Sequence, residues 1–141
     1  IAAQGLGLAR AAIEETVAYL GLPPPEGIAG GIAAPGQGAR FTLASLHTRL
    51  EAARLLVYRA ALLKDAGFSC TREASMAKLF ATDLAVAAAT RCLDLWGMAG
   101  TRADNPLARY FCDAKVTQIY EGSNQIQRLI VARELLNYMK K

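Results

Sequence analysis

Apolar residues recur along most of this chain at the three- and four-residue intervals of a helix face. Leu6, Ala9, Ile13, Val17 and Leu20 form one row opposite Arg10, Glu14 and Glu15, which predicts a helix from about Ala2 to Leu20. Leu43, Leu46, Leu50, Ala53, Val57, Ala60 and Leu63 predict a second, from about Phe41 to Ala66, with Gly67 as its stop. In a third, from about Thr71 to Trp96, Ala77, Phe80, Ala81, Leu84, Ala88 and Leu95 predict burial over much of the circumference. The last runs from about Asn124 to Met139, where Ile126, Leu129, Ile130, Leu136 and Met139 share a face with one polar intruder, Arg133. A short helix is expected from Pro106 to Lys115, with Asn105 as N-cap and Pro106 in the first helical position. No segment alternates apolar and polar residues in the manner of a strand. The expected fold is all-α, an antiparallel four-helix bundle with a short accessory helix.

Two stretches interrupt this pattern. Residues 21–38, "GLPPPEGIAGGIAAPGQG", are rich in Pro and Gly and read as a loop, long for a compact bundle. Residues 97–104, "GMAGTRAD", read as a glycine-containing turn.

Composition narrows the function. At 141 residues the chain is long enough for one domain with a real core, and its 53% hydrophobic content suits packed helices. No apolar stretch is long enough to span a bilayer. The first residues carry no basic region ahead of an apolar core, so no signal peptide is expected; without a starting Met, a fragment or processed product is expected. The net charge of +4 would suit anionic partners, but the basic residues are scattered, and only Lys140 and Lys141 are adjacent. Nucleic acid is therefore not expected as a partner. Cys70, Cys92 and Cys112 are widely spaced and His47 is the lone histidine, so neither a metal site nor a disulfide framework is expected. Free thiols in a reducing compartment are the simpler reading.

The candidate chemistry lies in "QIYEGSNQIQR", residues 118–128. Glu121 stands between Tyr120 and Gly122, just before the last helix. Ser123 and Asn124 are both good N-cap residues, and Asn124 with Gln127 has the spacing of a capping box. Two readings stand on chemistry alone. Glu121 is a solvated acid that stabilises the helix dipole, or it is a general base aimed into a crevice past a glycine that puts no side chain in the way.

The stretch "ARYFCDAKVTQIYEGSNQIQRLIVAREL" resembles the C-terminal signature of the flavin-dependent acyl-CoA dehydrogenases. "HTRLEAARLLVYRAALLKDAG" and "EASMAKLFATDLAVAAATRCLDLWG" resemble the two long helices before it, and "IAAQGLGLARAAIEETVAYL" the helix that opens the same domain. The resemblance covers nearly the whole of 1–141 apart from residues 21–38. It implies that Glu121 removes the α-proton of an acyl-CoA thioester while a hydride leaves the β-carbon for FAD. It also implies that the Glu121 backbone N–H binds the thioester carbonyl, that Tyr120 and Gly122 lie beside the substrate, and that Ser123 and Gln125 contact the FAD. Gly97 and Gly100 match two glycines of a cofactor-approaching turn. The expected partners are acyl-CoA, an electron-transferring flavoprotein and further copies of the chain in a tetramer or dimer. The expected compartment is a bacterial cytoplasm or a mitochondrial matrix.

The sequence also departs from the family pattern. The Pro/Gly-rich stretch replaces an Arg-Lys-x-Phe-Gly motif whose arginine reaches the FAD pyrophosphate. Asp94 replaces a glutamine, Met98 a glycine and Cys112 an arginine. The N-terminal helical domain and β-domain of the family have no counterpart in these residues. The alternative expectation is a non-catalytic helical oligomerisation module or partner subunit that has lost flavin binding.

Overall fold

The computed structural model describes residues 1–21 and 36–139. Its helices are α1 (Ala2–Gly21), α2 (Gln37–Asp65), α3 (Thr71–Trp96), α4 (Pro106–Thr117) and α5 (Asn124–Tyr138), with a 3-10 turn at Gly97–Thr101. Among the described residues no strand forms. The helical periodicity thus marks its elements correctly. The predicted 21–38 loop lies largely outside the described residues, although its ends are helical: Gly21 closes α1 and Gln37 opens α2.

Local signals act where expected. Gly67 takes a positive φ of 77°, and the Phe68 N–H donates to the Leu63 carbonyl at 2.9 Å while the Gly67 N–H donates to that of Lys64 at 3.1 Å. This is a Schellman stop, and it satisfies carbonyls that the end of α2 would leave bare. Asn105 caps α4: its Oδ1 accepts from the Leu107 N–H at 2.8 Å, with Pro106 behind it.

α3 is the hub. It packs against α1, α2, α4 and α5, and α1 packs in addition on α2 and α4. The α1–α3 contact is built from small residues. Ala9, Ala12, Ala81, Ala85 and Ala88 are fully buried, and a Cβ on Gly5 would lie 3.0 Å from the Ala81 carbonyl oxygen. Leu46 and Leu50 from α2, Leu84 from α3 and Leu107 from α4 fill the centre. Burying each leucine contributes roughly 1.5–3 kcal/mol. Near the C-terminus of α3, the Trp96 ring stacks on Tyr19 with centroids 3.7 Å apart, and its Nε1 donates to Thr16 Oγ1 at 3.1 Å. Gly5 meets Ala81 and Thr16 meets Trp96, so α1 and α3 run parallel.

Two expectations need correction. α4 is no accessory element, because Leu107, Ala114 and Thr117 are fully buried against α1 and α3. The peripheral helix is α5, which among the described helices packs on α3 alone. Its apolar row does not enter the core: Leu129 is 67% exposed and Met139 75%, and Ile126 and Leu136 are exposed too. α2 likewise leaves Leu55, Tyr58 and Leu62 uncovered. The apolar surplus of the described helices lies on α2 and α5, because α3 is enclosed by its neighbours. Among the described residues no helix is long and apolar enough to cross a membrane.

Candidate functional site

After α4 the chain must reverse before α5 begins. It does so through two successive left-handed residues, Glu121 at φ 53° and Gly122 at φ 88°, and the Asn124 N–H closes the turn on the Gln118 carbonyl at 2.9 Å. Gly122 is required twice over, because its φ is positive and a Cβ there would lie 2.8 Å from Gln127 Nε2. Glu121 has no such dispensation. A left-handed non-glycine residue costs roughly 1–2 kcal/mol, and such strain persists only where surrounding contacts over-determine it.

Those contacts come from α3. Lys78, only 7% exposed, donates from Nζ to the Gly122 carbonyl at 2.9 Å and to Asn124 Oδ1 at 2.8 Å. Asn124 Nδ2 in turn donates to Thr82 Oγ1 at 2.9 Å and Asp83 Oδ1 at 2.7 Å. Asp83 also accepts from Gln118 Nε2 at 2.6 Å and pairs through Oδ2 with Arg128 at 3.0 Å. Gln127 Nε2 gives the Gly122 carbonyl a second donor at 3.2 Å. Among the described residues no buried side-chain N or O lacks a partner. Burial pushes the Lys78 ammonium below the usual lysine range, and the Asp83 carboxylate opposes that shift.

Glu121 stands at the edge of a cleft of about 350 Å³ whose walls include Ala2, Val57, Ala60 and Ala74, with Lys78 and Gln127 on its polar side. An apolar wall facing one carboxylate suits a proton transfer from a C–H group held in the cleft. Tyr120 anchors the turn to α1 by donating its hydroxyl to Gln4 Oε1.

The structure therefore brings Tyr120, Glu121, Gly122 and Ser123 together. Ser123 is the N-cap of α5, but its side chain makes no capping bond. Asn124 occupies the first helical position and spends its amide on α3, so the Asn124–Gln127 capping box does not form. Gln125 is exposed on the first turn. Gly97 and Gly100 lie elsewhere, at the opposite end of α3, about 28 Å along its axis from Lys78. Gly100 is buried, and its missing side chain makes room for Trp96 and Leu93, which a Cβ would meet at 3.0 and 3.1 Å. Of the departures near that turn, Asp94 is paired with Arg91 at 3.6 Å and Met98 is 91% exposed. Among the described residues no cluster of metal-ligating side chains occurs.

Sequence reasoning missed Lys78 and Asp83. One signal was available: Lys78 is a cation inside the helix predicted to be buried on most sides, and such a charge requires partners.

A family model described as "Acyl-CoA dehydrogenase, C-terminal domain" matches residues 1–136. An acyl-CoA dehydrogenase of Bacillus subtilis is 51% identical over 142 residues, which cover 96% of this chain and 35% of that protein. The structure of butyryl-CoA dehydrogenase from Megasphaera elsdenii superimposes with a TM-score of 0.88 at 38% identity, over 96% of this chain and 34% of that one. An FAD complex of PigA superimposes with a TM-score of 0.82 at 26% identity, over 93% of this chain and 33% of that one. The chain thus spans about a third of the length of these relatives.

Proposed function

The chain belongs to the acyl-CoA dehydrogenase family, as its C-terminal domain, and on that premise we propose that it supplies the catalytic base for FAD-dependent α,β-dehydrogenation of an acyl-CoA thioester. The Glu121 carboxylate takes the α-proton. The Glu121 backbone N–H donates to the thioester carbonyl and stabilises the negative charge that grows there as the proton leaves. FAD, when bound, supplies the acceptor for the β-hydride, and the product is a trans-2-enoyl-CoA. Ser123 and Gln125 fit the flavin's polar edge, since neither the half-buried Ser123 hydroxyl nor the exposed Gln125 amide is engaged in capping α5. Gly97 and Gly100 stay part of this proposal as cofactor-approaching glycines, at the other end of α3 from Lys78.

The observation that carries this reading is the left-handed Glu121, held at the rim of an apolar cleft. Glu121→Gln in the flavin-loaded enzyme tests it. Flavin bleaching by a straight-chain acyl-CoA is expected to slow by at least about 10²-fold, the scale of a general base, with the flavin spectrum unchanged. Unaltered bleaching removes Glu121 from the mechanism.

We propose further that an electron-transferring flavoprotein reoxidises the enzyme and that copies of the chain associate through the exposed rows of α2 and α5. A bacterial cytoplasm or mitochondrial matrix would keep the free Cys70, Cys92 and Cys112 reduced. Those same exposed rows, with Asp94 and Met98 beside the Gly97 turn, favour a second reading, a non-catalytic oligomerisation module. FAD retained through desalting argues for the enzyme; a colourless oligomer argues for the module.

A further inference from the structure

Resting on Glu121 as the base, we propose that Lys78 is a positioning residue that holds the Glu121–Gly122 turn in its left-handed form and so keeps the carboxylate at the cleft. The geometry is specific. The Lys78 ammonium grips the chain just after Glu121, at the Gly122 carbonyl and at Asn124 Oδ1. It reaches from a helix that belongs to the core, across 44 and 46 residues of sequence. A lone left-handed glutamate returns to extended backbone when nothing opposes it, and that relaxation swings its carboxylate away from the cleft. Lys78, Asn124 and Gln127 oppose it together, but of these only Lys78 belongs to α3 and also lines the cleft beside Glu121.

This role separates from a structural one. Both acceptors keep a donor when the ammonium is removed. The Gly122 carbonyl retains Gln127 Nε2 at 3.2 Å, and the Thr82 hydroxyl, 3.2 Å from Asn124 Oδ1, can turn to it. Methionine matches the lysine stem, and with both acceptors still bonded the change leaves no buried polar group bare. Lys78→Met is therefore expected to fold, with at most a modestly lower melting temperature, yet to work poorly.

The test uses the flavin-loaded enzyme and an acyl-CoA in D2O. Lys78→Met is expected to lower kcat and the rate of α-deuterium incorporation together, by about 10- to 100-fold, as a misplaced catalytic group does. KM should change far less. In Glu121→Gln the added Lys78→Met change should cost nothing more, because both act on one step. Intact turnover overturns the proposal whatever the melting temperature, as do losses that multiply in the double variant. Should Lys78→Met fail to fold, Lys78→Gln, whose shorter amide cannot span both acceptors, must show the same fall in kcat, and normal turnover in it overturns the proposal. If Glu121→Gln alone keeps full activity, the base assignment fails instead, and the two failures are distinct.

Discussion

α3 presents two unlike faces. Toward α1 it offers Ala81, Ala85 and Ala88, and the two helices approach until a single Cβ on Gly5 would collide with backbone. Toward α5 it offers Lys78, Thr82 and Asp83, and the join is made of hydrogen bonds. The first face gains stability from area removed from water and from dense packing. The second gains little net energy for each bond, but its bonds are directional and fix where the chain after α4 must go. Apolar packing here makes the platform, while polar bonding sets the pose of Glu121.

That division can be broken by substitution. Leu84→Ala, at the centre of the apolar face, should cost about 2–5 kcal/mol of global stability, read from a denaturant midpoint with every helix lost together. Asn124→Ala strips partners from Lys78, Thr82 and Asp83 at once. It should cost about 1–3 kcal/mol, but locally. Amide exchange should quicken in α5 while α1 and α3 stay protected; equal quickening in α1 would show that the two faces are one cooperative unit. The smallest effect belongs to an ion cluster at the start of α3, outside both faces. Arg72 beside Glu73 holds its carboxyl below the usual range, with Arg59 adding to the effect. A lowered folded value means stability is complete above the unfolded glutamate value of about 4.3 and drains as pH falls through the folded one. Glu73→Gln should remove that acid-side loss, worth below about 1 kcal/mol for a partly solvated pair, in melting curves taken from neutral to acid pH. The acid limb should stay as steep as before if Glu73 takes no part.

Helix positions were legible because the period of a helix is local. Each row needs only neighbours three and four residues away, and Gly67 and Asn105 act on backbone groups within the same turn. The motif around Glu121 was legible through its residue types and its resemblance to a family. Periodicity carries no information about which apolar row will find a partner, so the row on α5 looked like core and is surface in this chain. The small residues of α1 and α4 let those helices close on α3, whereas α5 meets α3 through Asn124 and Arg128.

By itself the sequence determined five helices, the Gly67 stop of α2, the Asn105 cap of α4 and a base candidate ahead of the last helix. Only the tertiary structure decided that Lys78 meets Gly122, that Asp83 gathers Gln118, Asn124 and Arg128, and that Gly97 and Gly100 lie at the opposite end of α3 from Ser123. The physical reason is distance along the chain. A hydrogen bond between residues 44 apart forms only after apolar burial has placed α3 beside the start of α5, and no local pattern encodes that meeting.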